Sequence, residues 1–183
     1  MPDKAGKMPA LPMSEDLLAL FRKTGALLAG HFVLRSGLHS REYFQCALLL
    51  QHTEIAAKIC GWLADKLRQF GCDTVISPAL GGIIVGQEVG RSLGKRHIFA
   101  EKDEGKLVLR RGFQILPNEK FVVVEDVVTR GGRVQETIDI VRAHGGEILC
   151  WNNSEDSGST FVVRVPIANE ASVTAALAKE AGR

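Results

Sequence analysis

Two adjacent acids, Glu125 and Asp126, follow a run of three valines and precede a turn that contains the glycine pair Gly131 and Gly132. A short apolar run of this kind predicts a strand that is buried on both faces. Adjacent glycines permit close approach of the backbone, so several N–H groups can converge on one anion, and the next helix adds partial positive charge. Because carboxylates accept hydrogen bonds from sugar hydroxyls, the pattern favours a phosphorylated ribose. An ordinary strand–turn–helix joint with surface acids is the alternative.

The segment between the acids and the predicted helix can supply phosphate donors. Thr129 has both a hydroxyl and a backbone N–H to offer a 5′-phosphate. The predicted site consists of Glu125, Asp126, Val127, Val128, Thr129, Arg130, Gly131, Gly132 and Arg133. Another strand ends at Pro78 and leads through small residues to a helix start. This arrangement suits a second oxyanion site, and an ordinary tight turn is equally compatible with it.

The apolar spacing alternates between the periods of strands and helices. Helices are predicted at 14–30, 53–71, 81–94 and 133–144, with Ser14 and Thr53 as N-caps and with Leu27 and Leu28 in the first apolar stripe. Strands are predicted at 73–78, 97–101, 107–110, 120–125 and 147–151, and a hairpin at 31–34 and 42–46. This alternation predicts a parallel sheet with helices on both faces. Ligands bind outside the carboxyl ends of such strands, where both glycine turns would lie.

Size and composition narrow the class of protein. A chain of 183 residues, 45% of them hydrophobic, suits one globular domain. A net charge of +2 without a basic run gives no support to nucleic-acid binding, and no apolar stretch has membrane-spanning length. Residues 1–13 lack an apolar signal core, and the four cysteines lack CxxC spacing. We therefore expect a flexible leader, a cytoplasmic protein with buried thiols, and no structural metal.

The two acids, Thr129 and the glycine pair after a valine strand resemble the loop that binds 5-phosphoribosyl 1-diphosphate (PRPP) in type I phosphoribosyltransferases. The resemblance implies an α/β fold in which helices flank a parallel sheet, within one domain (residues 14–183) that carries a small N-terminal hood (residues 14–50). It also implies a reaction in which a ring nitrogen displaces diphosphate from C1 of the ribose, through an oxocarbenium-like state.

This resemblance also assigns roles to residues at both turns. Asp126 would stabilise the positive charge on the sugar, and backbone amides of Leu80 and Gly81 would approach the diphosphate. Mg²⁺ would bind through the substrate, because this ion prefers phosphates and water to a cage of protein ligands.

The segment 30–45 reads Gly-His-Phe-Val-Leu-Arg-Ser-Gly-Leu-His-Ser-Arg-Glu-Tyr-Phe-Gln and resembles the N-terminal segment of orotate phosphoribosyltransferases. By that resemblance Tyr43 and Phe44 cover the pyrimidine ring, and Thr129 also contributes to the base site. His39 stands where many relatives carry a lysine that faces PRPP. Hydrophobic packing within the hairpin is the alternative for the aromatic pair.

The charged segment 101–113 resembles the mobile lid of this family, which often serves the neighbouring subunit's site in a homodimer. Lys102 is the best candidate to bring a cation to the departing diphosphate, and Lys106, Arg110 and Arg111 are further candidates. Closure would also exclude water. A solvated charged hairpin is the alternative, and for Lys106 it is the favoured one.

The resemblance covers residues 14–148 and then weakens. Family members usually carry an arginine after the last predicted strand, where it binds the orotate carboxylate, but residues 150–160 contain no arginine and include Glu155 and Asp156. These acids would repel a carboxylate, and Arg164 is the nearest substitute. Three functions stay open: transfer to orotate in pyrimidine biosynthesis, transfer to another nucleobase, and PRPP binding by a regulator or inactive relative.

Overall fold

The computed structural model describes residues 15–34, 37, 39–128 and 131–149. The elements in this part of the chain are α1 (Glu15–Lys23), β1 (Leu27–Val33), β2 (His39–Phe44), α2 (Cys46–Leu50), α3 (Thr53–Leu67), β3 (Thr74–Pro78), α4 (Gly81–Leu93), β4 (Arg96–Asp103), β5 (Lys106–Leu109), β6 (Lys120–Val123), α5 (Gly132–Ala143) and β7 (Glu147–Ile148). None of these helices has the length and apolar character needed to cross a bilayer. The segment 150–160 and Arg164 lie outside the described residues.

The main sheet has five strands in the order β5-β4-β3-β6-β7. β3 is parallel to β4 and to β6, and β6 is parallel to β7, whereas β5 pairs antiparallel with β4 at the edge. Helices α4 and α5 connect parallel strands, as the alternation of strands and helices in the sequence predicts. The predicted α/β class with a largely parallel sheet is confirmed.

Both faces of the sheet are covered, because neighbouring residues on the same strand belong to different hydrophobic clusters. On β3, Val75 packs with residues of α1, α2, α3 and α4, whereas Ile76 packs with residues of α5. On β6, Val122 packs in the same cluster as Val75, and Val123 packs in the same cluster as Ile76. A strand buried on both faces reads as a continuous apolar run, which explains the valine run before the two acids.

Helix α4 sits directly on the sheet through glycines at every fourth position. A Cβ added at Gly86 would overlap the imidazole of His97 on β4, and one at Gly90 would come within 3.1 Å of the Lys95 carbonyl oxygen. A Cβ at Gly82 would lie 3.2 Å from the Cβ of Ser77 on β3. Residues four apart share one face of a helix. This glycine stripe therefore brings the beginning of α4 close to the ends of β3 and β6.

The N-terminal hairpin of the hood exists, but its boundaries differ from the prediction. The first helix ends at Lys23 rather than continuing to residue 30, and Leu27 and Leu28 belong to β1. The chain turns at Gly25, which has a φ of +66°, while the Thr24 hydroxyl donates to the Leu20 carbonyl at 2.9 Å. A left-handed glycine ends the helix at this point. The prediction for Leu27 and Leu28 was wrong because an apolar pair fits either period.

Helix α3 also differs in detail, and the short helix α2 before it was not predicted. The N-cap of α3 is His52 rather than Thr53, and its side chain makes no capping hydrogen bond. The buried face of α3 consists of Ala56, Cys60, Leu63, Ala64 and Leu67. The cap prediction failed because residues 46–50 already form helix α2, which leads into α3 through a tight turn.

An ionic cluster fastens the amino ends of three strands, on the edge opposite the predicted site. The Glu119 carboxylate accepts hydrogen bonds from the Arg96 guanidinium at 2.7 Å, from the Thr74 hydroxyl at 2.5 Å and from the Leu116 N–H at 2.9 Å. Burial opposes ionisation of Glu119, but these hydrogen bonds outweigh it and lower the pKa of the carboxyl. The cluster therefore favours the ionised form of Glu119 and links the amino ends of these strands.

Candidate active site

The two turns that the sequence singles out lie side by side at the carboxyl edge of the sheet. β3 and β6 are neighbours, and the Val124 N–H continues their pairing by donating to the Ile76 carbonyl at 3.0 Å. Beyond this point, the Asp126 carboxylate occupies the space where a Cβ at Gly81 would stand. The predicted oxyanion turn and the predicted phosphate loop are therefore in contact at the carboxyl edge, as strand-end placement in a parallel sheet requires.

Glu125 lies beneath this contact as a buried acid. Its side chain is 2% exposed, and neither carboxylate oxygen has a hydrogen-bond partner among the described residues. Oε1 lies 3.3 Å from the position of a Cβ at Gly82, and the Nε of Arg133 is 3.8 Å from Oε2. Buried polar atoms without a hydrogen-bond partner are rare in folded proteins, which makes Glu125 a candidate to bind a ligand.

The environment of Glu125 favours its neutral form. Burial raises the pKa of the carboxyl to about 8, the adjacent Asp126 raises this pKa as well, and the Arg133 guanidinium lowers it in part. A neutral carboxyl can donate one hydrogen bond and accept others. Glu125 can therefore bind hydroxyl groups, which also both donate and accept.

The N-terminus of α5 faces the same edge. Gly131 is the N-cap residue with a φ of +76°, and the helix runs from Gly132 for 12 residues. Only glycine adopts this backbone conformation without steric cost, so Gly131 allows the N–H groups of the first turn to point outward. Helix N-termini with free N–H groups bind anions. The predicted donors Thr129 and Arg130 lie outside the described residues.

The two valines at the start of the predicted phosphate loop pack against hydrophobic clusters on opposite faces of the sheet. Val127 packs against the cluster that contains α3 and α4, and Val128 packs against the cluster around α5. Their side chains therefore anchor the loop, and any contact they make with a phosphate would come from their backbone.

The turn between β3 and α4 exposes its middle residue. Leu80 is 81% exposed and stands at the N-cap position of α4, and the peptide bond between Ala79 and Leu80 is cis. The Ala79 N–H donates to the Ala100 carbonyl on β4 at 2.7 Å, which ties the turn to the next strand. The predicted amides at Leu80 and Gly81 thus lie at the start of a helix of 13 residues.

The two aromatic residues of the hood diverge. Tyr43 is 39% exposed, and its ring lies 5.5 Å from that of Phe32. Phe44 points the other way, and its ring meets Phe21 edge-on at 4.9 Å within the core. Adjacent residues of a strand face opposite sides, so the aromatic pair cannot act as one surface. Tyr43 is exposed beside Phe32, and the base-covering roles of Tyr43 and Phe44 both stay predictions.

The hood contacts the phosphate loop through a residue that was not predicted for the site. The Cys46 thiol at the start of α2 donates to the Asp126 carbonyl oxygen at 3.5 Å. Burial, followed by the nearby Asp126 charge, raises the pKa of Cys46 to about 12, so it remains a neutral thiol. At the hood's other end, His39 Nδ1 lies 2.5 Å from His31 Nε2. The sequence predicts only that Cys46 is buried, and no motif in it indicates a contact with the phosphate loop.

The predicted lid is the hairpin formed by β4 and β5. Its two arginines are engaged by acids: Arg111 forms a bidentate contact with Glu101 at 2.8 and 2.9 Å, and Arg110 lies 3.6 Å from Asp103. The hydrogen bond from Arg111 also lowers the pKa of Glu101. Lys102 is exposed and has no acidic partner among the described residues. Lys106 is likewise exposed and has no acidic partner among the described residues, so the two lysines differ from the two arginines in this respect.

Two proteins with sequences similar to that of this chain are orotate phosphoribosyltransferases. An orotate phosphoribosyltransferase of Desulforamulus reducens is 52% identical over 135 residues, which are 74% of this chain and 71% of that protein. One of Carboxydothermus hydrogenoformans is 52% identical over 154 residues, 82% of this chain and 81% of that protein. The crystal structure of an orotate phosphoribosyltransferase from Aeropyrum pernix has a TM-score of 0.59 at 26% identity and covers 72% of this chain and 76% of that one. No protein-family model matches the chain.

Proposed function

Since the chain belongs to the orotate phosphoribosyltransferase family, we propose that it transfers the 5-phosphoribosyl group of PRPP to orotate, in pyrimidine biosynthesis. The bond between C1 and the diphosphate oxygen breaks, and its electron pair leaves with diphosphate. A ring nitrogen of orotate forms the new bond to C1, which gives orotidine 5′-monophosphate.

The contact between Asp126 and Gly81 is the observation that carries this proposal. PRPP has a 5′-phosphate, a ribose and a diphosphate, and these need two anion sites separated by groups that bind hydroxyls. The start of α5 and the start of α4 supply the two helix N-termini, and the acids lie between them. The adjacency of these parts supports a ligand with a phosphate at each end.

The residues assigned to PRPP act in the proposal by binding and by electrostatics. Asp126 stabilises the positive charge that develops on the ribose as the C1–oxygen bond breaks. The neutral, buried carboxyl of Glu125 binds ribose hydroxyls, which would satisfy its unpaired oxygens. We assign the 5′-phosphate to the backbone of residues 127–133 and the diphosphate to the amides of Leu80 and Gly81.

We propose Mg²⁺ as the cofactor, bound through PRPP. Among the described residues, no group of three or more acidic, histidine or cysteine side chains converges to hold a metal ion. The Asp126 carboxylate is an oxygen donor of the kind that Mg²⁺ accepts, so it fits a hydrated ion that the substrate brings with it. When bound, the ion neutralises charge on the diphosphate.

We further propose a cytoplasmic homodimer in which Lys102 on one protomer serves the site of the other. Lys102 lies on an exposed hairpin and lacks an acidic partner in the described part of its own chain. In this proposal, Tyr43 and His39 of the hood face the base and PRPP, and Phe44 supports Tyr43 from the core side.

Diphosphate release tests the proposal directly. The purified protein is incubated with PRPP and Mg²⁺ together with orotate, uracil, adenine or hypoxanthine, and the diphosphate formed is measured. Turnover with orotate is the expected result. Turnover with another base alone would identify that base, rather than orotate, as the substrate. PRPP binding without turnover with any base would favour a regulatory role.

Transfer to another nucleobase remains the second candidate, because one observation favours it. Residues 150–160 contain no arginine to bind a carboxylate and include Glu155 and Asp156. The names of the relatives favour orotate over this alternative.

A further inference from the structure

A buried hydroxyl lies under the turn that the proposed function assigns to diphosphate. Ser77 precedes Pro78 at the end of β3 and is fully buried. Its Oγ lies 2.8 Å from the Nε2 of His97, on the neighbouring strand β4. The Ser77 Cβ also supports the first turn of α4, since it lies 3.2 Å from where a Cβ at Gly82 would stand. Ser77 thus connects His97 to the start of α4.

Helix α4 is shaped to receive His97. A Cβ at Gly86 would overlap the imidazole ring, and a Cβ at Gly90 would lie 3.2 Å from the Cβ of His97. The imidazole therefore fills a notch made by two glycines one turn apart. Any larger residue at Gly86 would push the ring away from Ser77.

The ring is also neutral, which suits it to a fixed hydrogen bond. Burial lowers the pKa of His97 to about 4. A neutral imidazole has one donor and one acceptor nitrogen, and a serine hydroxyl rotates to pair with either. The bond therefore persists across the neutral pH range.

We infer that His97 is a positioning residue for diphosphate: through the Ser77 hydroxyl it fixes the turn whose amides at Leu80 and Gly81 bind the leaving group. The inference rests on the proposed function for the identity of the ligand. It assigns His97 no contact with substrate. Loss of the hydrogen bond would loosen the turn and weaken binding of the diphosphate end, while leaving the base site unchanged.

The experiment compares Ser77→Ala, His97→Ala and His97→Gln with the parent protein. Three constants are measured: the dissociation constant for magnesium diphosphate by calorimetry, which needs no turnover, the KM for PRPP and the KM for orotate. His97→Ala and Ser77→Ala should each weaken diphosphate binding and raise KM for PRPP about tenfold, the scale of one lost hydrogen bond in free energy. KM for orotate should stay within about twofold. His97→Gln, whose amide nitrogen can replace Nε2, should retain most of the affinity.

Gly86→Ala combined with His97→Ala separates positioning from packing. In this double variant the added methyl group fills part of the space left by the imidazole, so the unfolding temperature should recover relative to His97→Ala alone. Diphosphate affinity should not recover, because the hydrogen bond is still absent. His52→Ala, at an exposed residue before α3, is the matched control. It should change neither the unfolding temperature nor the diphosphate affinity.

Normal diphosphate affinity in folded His97→Ala and Ser77→Ala proteins would overturn the inference, and so would full recovery of affinity in the double variant. A parent protein that binds no magnesium diphosphate would overturn it too. If the parent protein binds diphosphate with the expected pattern but releases none from PRPP with any base, the proposed function fails and the positioning role stands. If a His97→Ala protein turns over orotate with unchanged kinetic constants, the positioning role fails and the proposed function stands.

Discussion

The carboxylate of Asp126, which follows β6, occupies the space beside the Cα of Gly81, the first residue of α4. The two residues belong to separate strand-end turns, and each turn fixes the other. A side chain at residue 81 and the present position of Asp126 exclude each other. This contact brings the two turns that we propose as anion sites side by side.

Gly81→Ala should therefore reduce activity without unfolding the protein. The added Cβ displaces the Asp126 carboxylate, and a displacement of about 1 Å at a catalytic group can cost on the order of 10²-fold in kcat/KM. Steady-state kinetics with PRPP and orotate measure the loss, and circular dichroism verifies the fold. Gly61→Ala on α3 is the control, because a Cβ there meets no atom within 4 Å. The control should be fully active and about 1 kcal/mol more stable.

Asp126→Asn should lower kcat by at least ~10²-fold, because the amide keeps the shape of the side chain but removes the charge that we propose stabilises the ribosyl cation. KM for PRPP should change much less than kcat. Asp65→Asn, which alters an exposed acid paired with Arg68 on α3, should leave both constants unchanged. Near-normal kcat in Asp126→Asn would remove this residue from the chemistry.

Glu125→Gln should change how stability depends on pH. The folded-state pKa of Glu125 is about 8, above the ordinary value of 4.5, so between these values the folded protein keeps a proton that the unfolded chain has released. The free energy of unfolding of the parent protein should therefore fall with rising pH across this window, by up to about 1.4 kcal/mol per pH unit from this group. Glutamine does not titrate, so the variant lacks this contribution.

Urea unfolding at a series of pH values measures the difference. The stability gain of Glu125→Gln over the parent should be smallest below pH 4.5 and greatest above pH 8. Parallel stability curves for the two proteins would show that the Glu125 carboxyl is not perturbed.

Mixing two inactive proteins tests the shared site. If Lys102 serves the partner's site, a hybrid dimer of Lys102→Ala and Asp126→Asn chains contains one intact site and one doubly altered site. Random exchange in a two-fold dimer should then restore about a quarter of the parental activity. The control mixes Lys102→Ala with a chain carrying both substitutions, which cannot assemble an intact site. Equal activity in the two mixtures, after exchange is verified, would contradict a shared site.

Glu119→Gln should destabilise the fold and spare catalysis, since the Arg96–Glu119 cluster lies at the sheet edge opposite the site. Weakening hydrogen bonds to a buried carboxylate should cost ~1–3 kcal/mol at neutral pH. The pKa of Glu119 is lowered in the folded state, so its stabilisation is present above the ordinary value and is lost as pH falls through the folded-state pKa. The variant and parent curves should converge in acid. Glu88→Gln, which breaks a surface pair with Arg91, should cost much less.

The sequence alone determined the framework of the site, because strand and helix periods are local properties of the chain. The valine run, the two acids and the glycine turns predicted β6 and α5, and the rule for parallel sheets placed the turns at one edge. The same local reading failed at Leu27 and Leu28, where Gly25 ends the helix early.

Only the tertiary structure decided which groups meet. Three contacts depend on how closely α4 packs on the sheet: Asp126 rests on Gly81, Glu125 is buried without a hydrogen-bond partner in the described chain, and His97 fits against Gly86. Such contacts join residues far apart in the chain, and no local period encodes them. The pKa of Glu125 follows from them, because it is set by the water that packing removes and the charges that packing brings near.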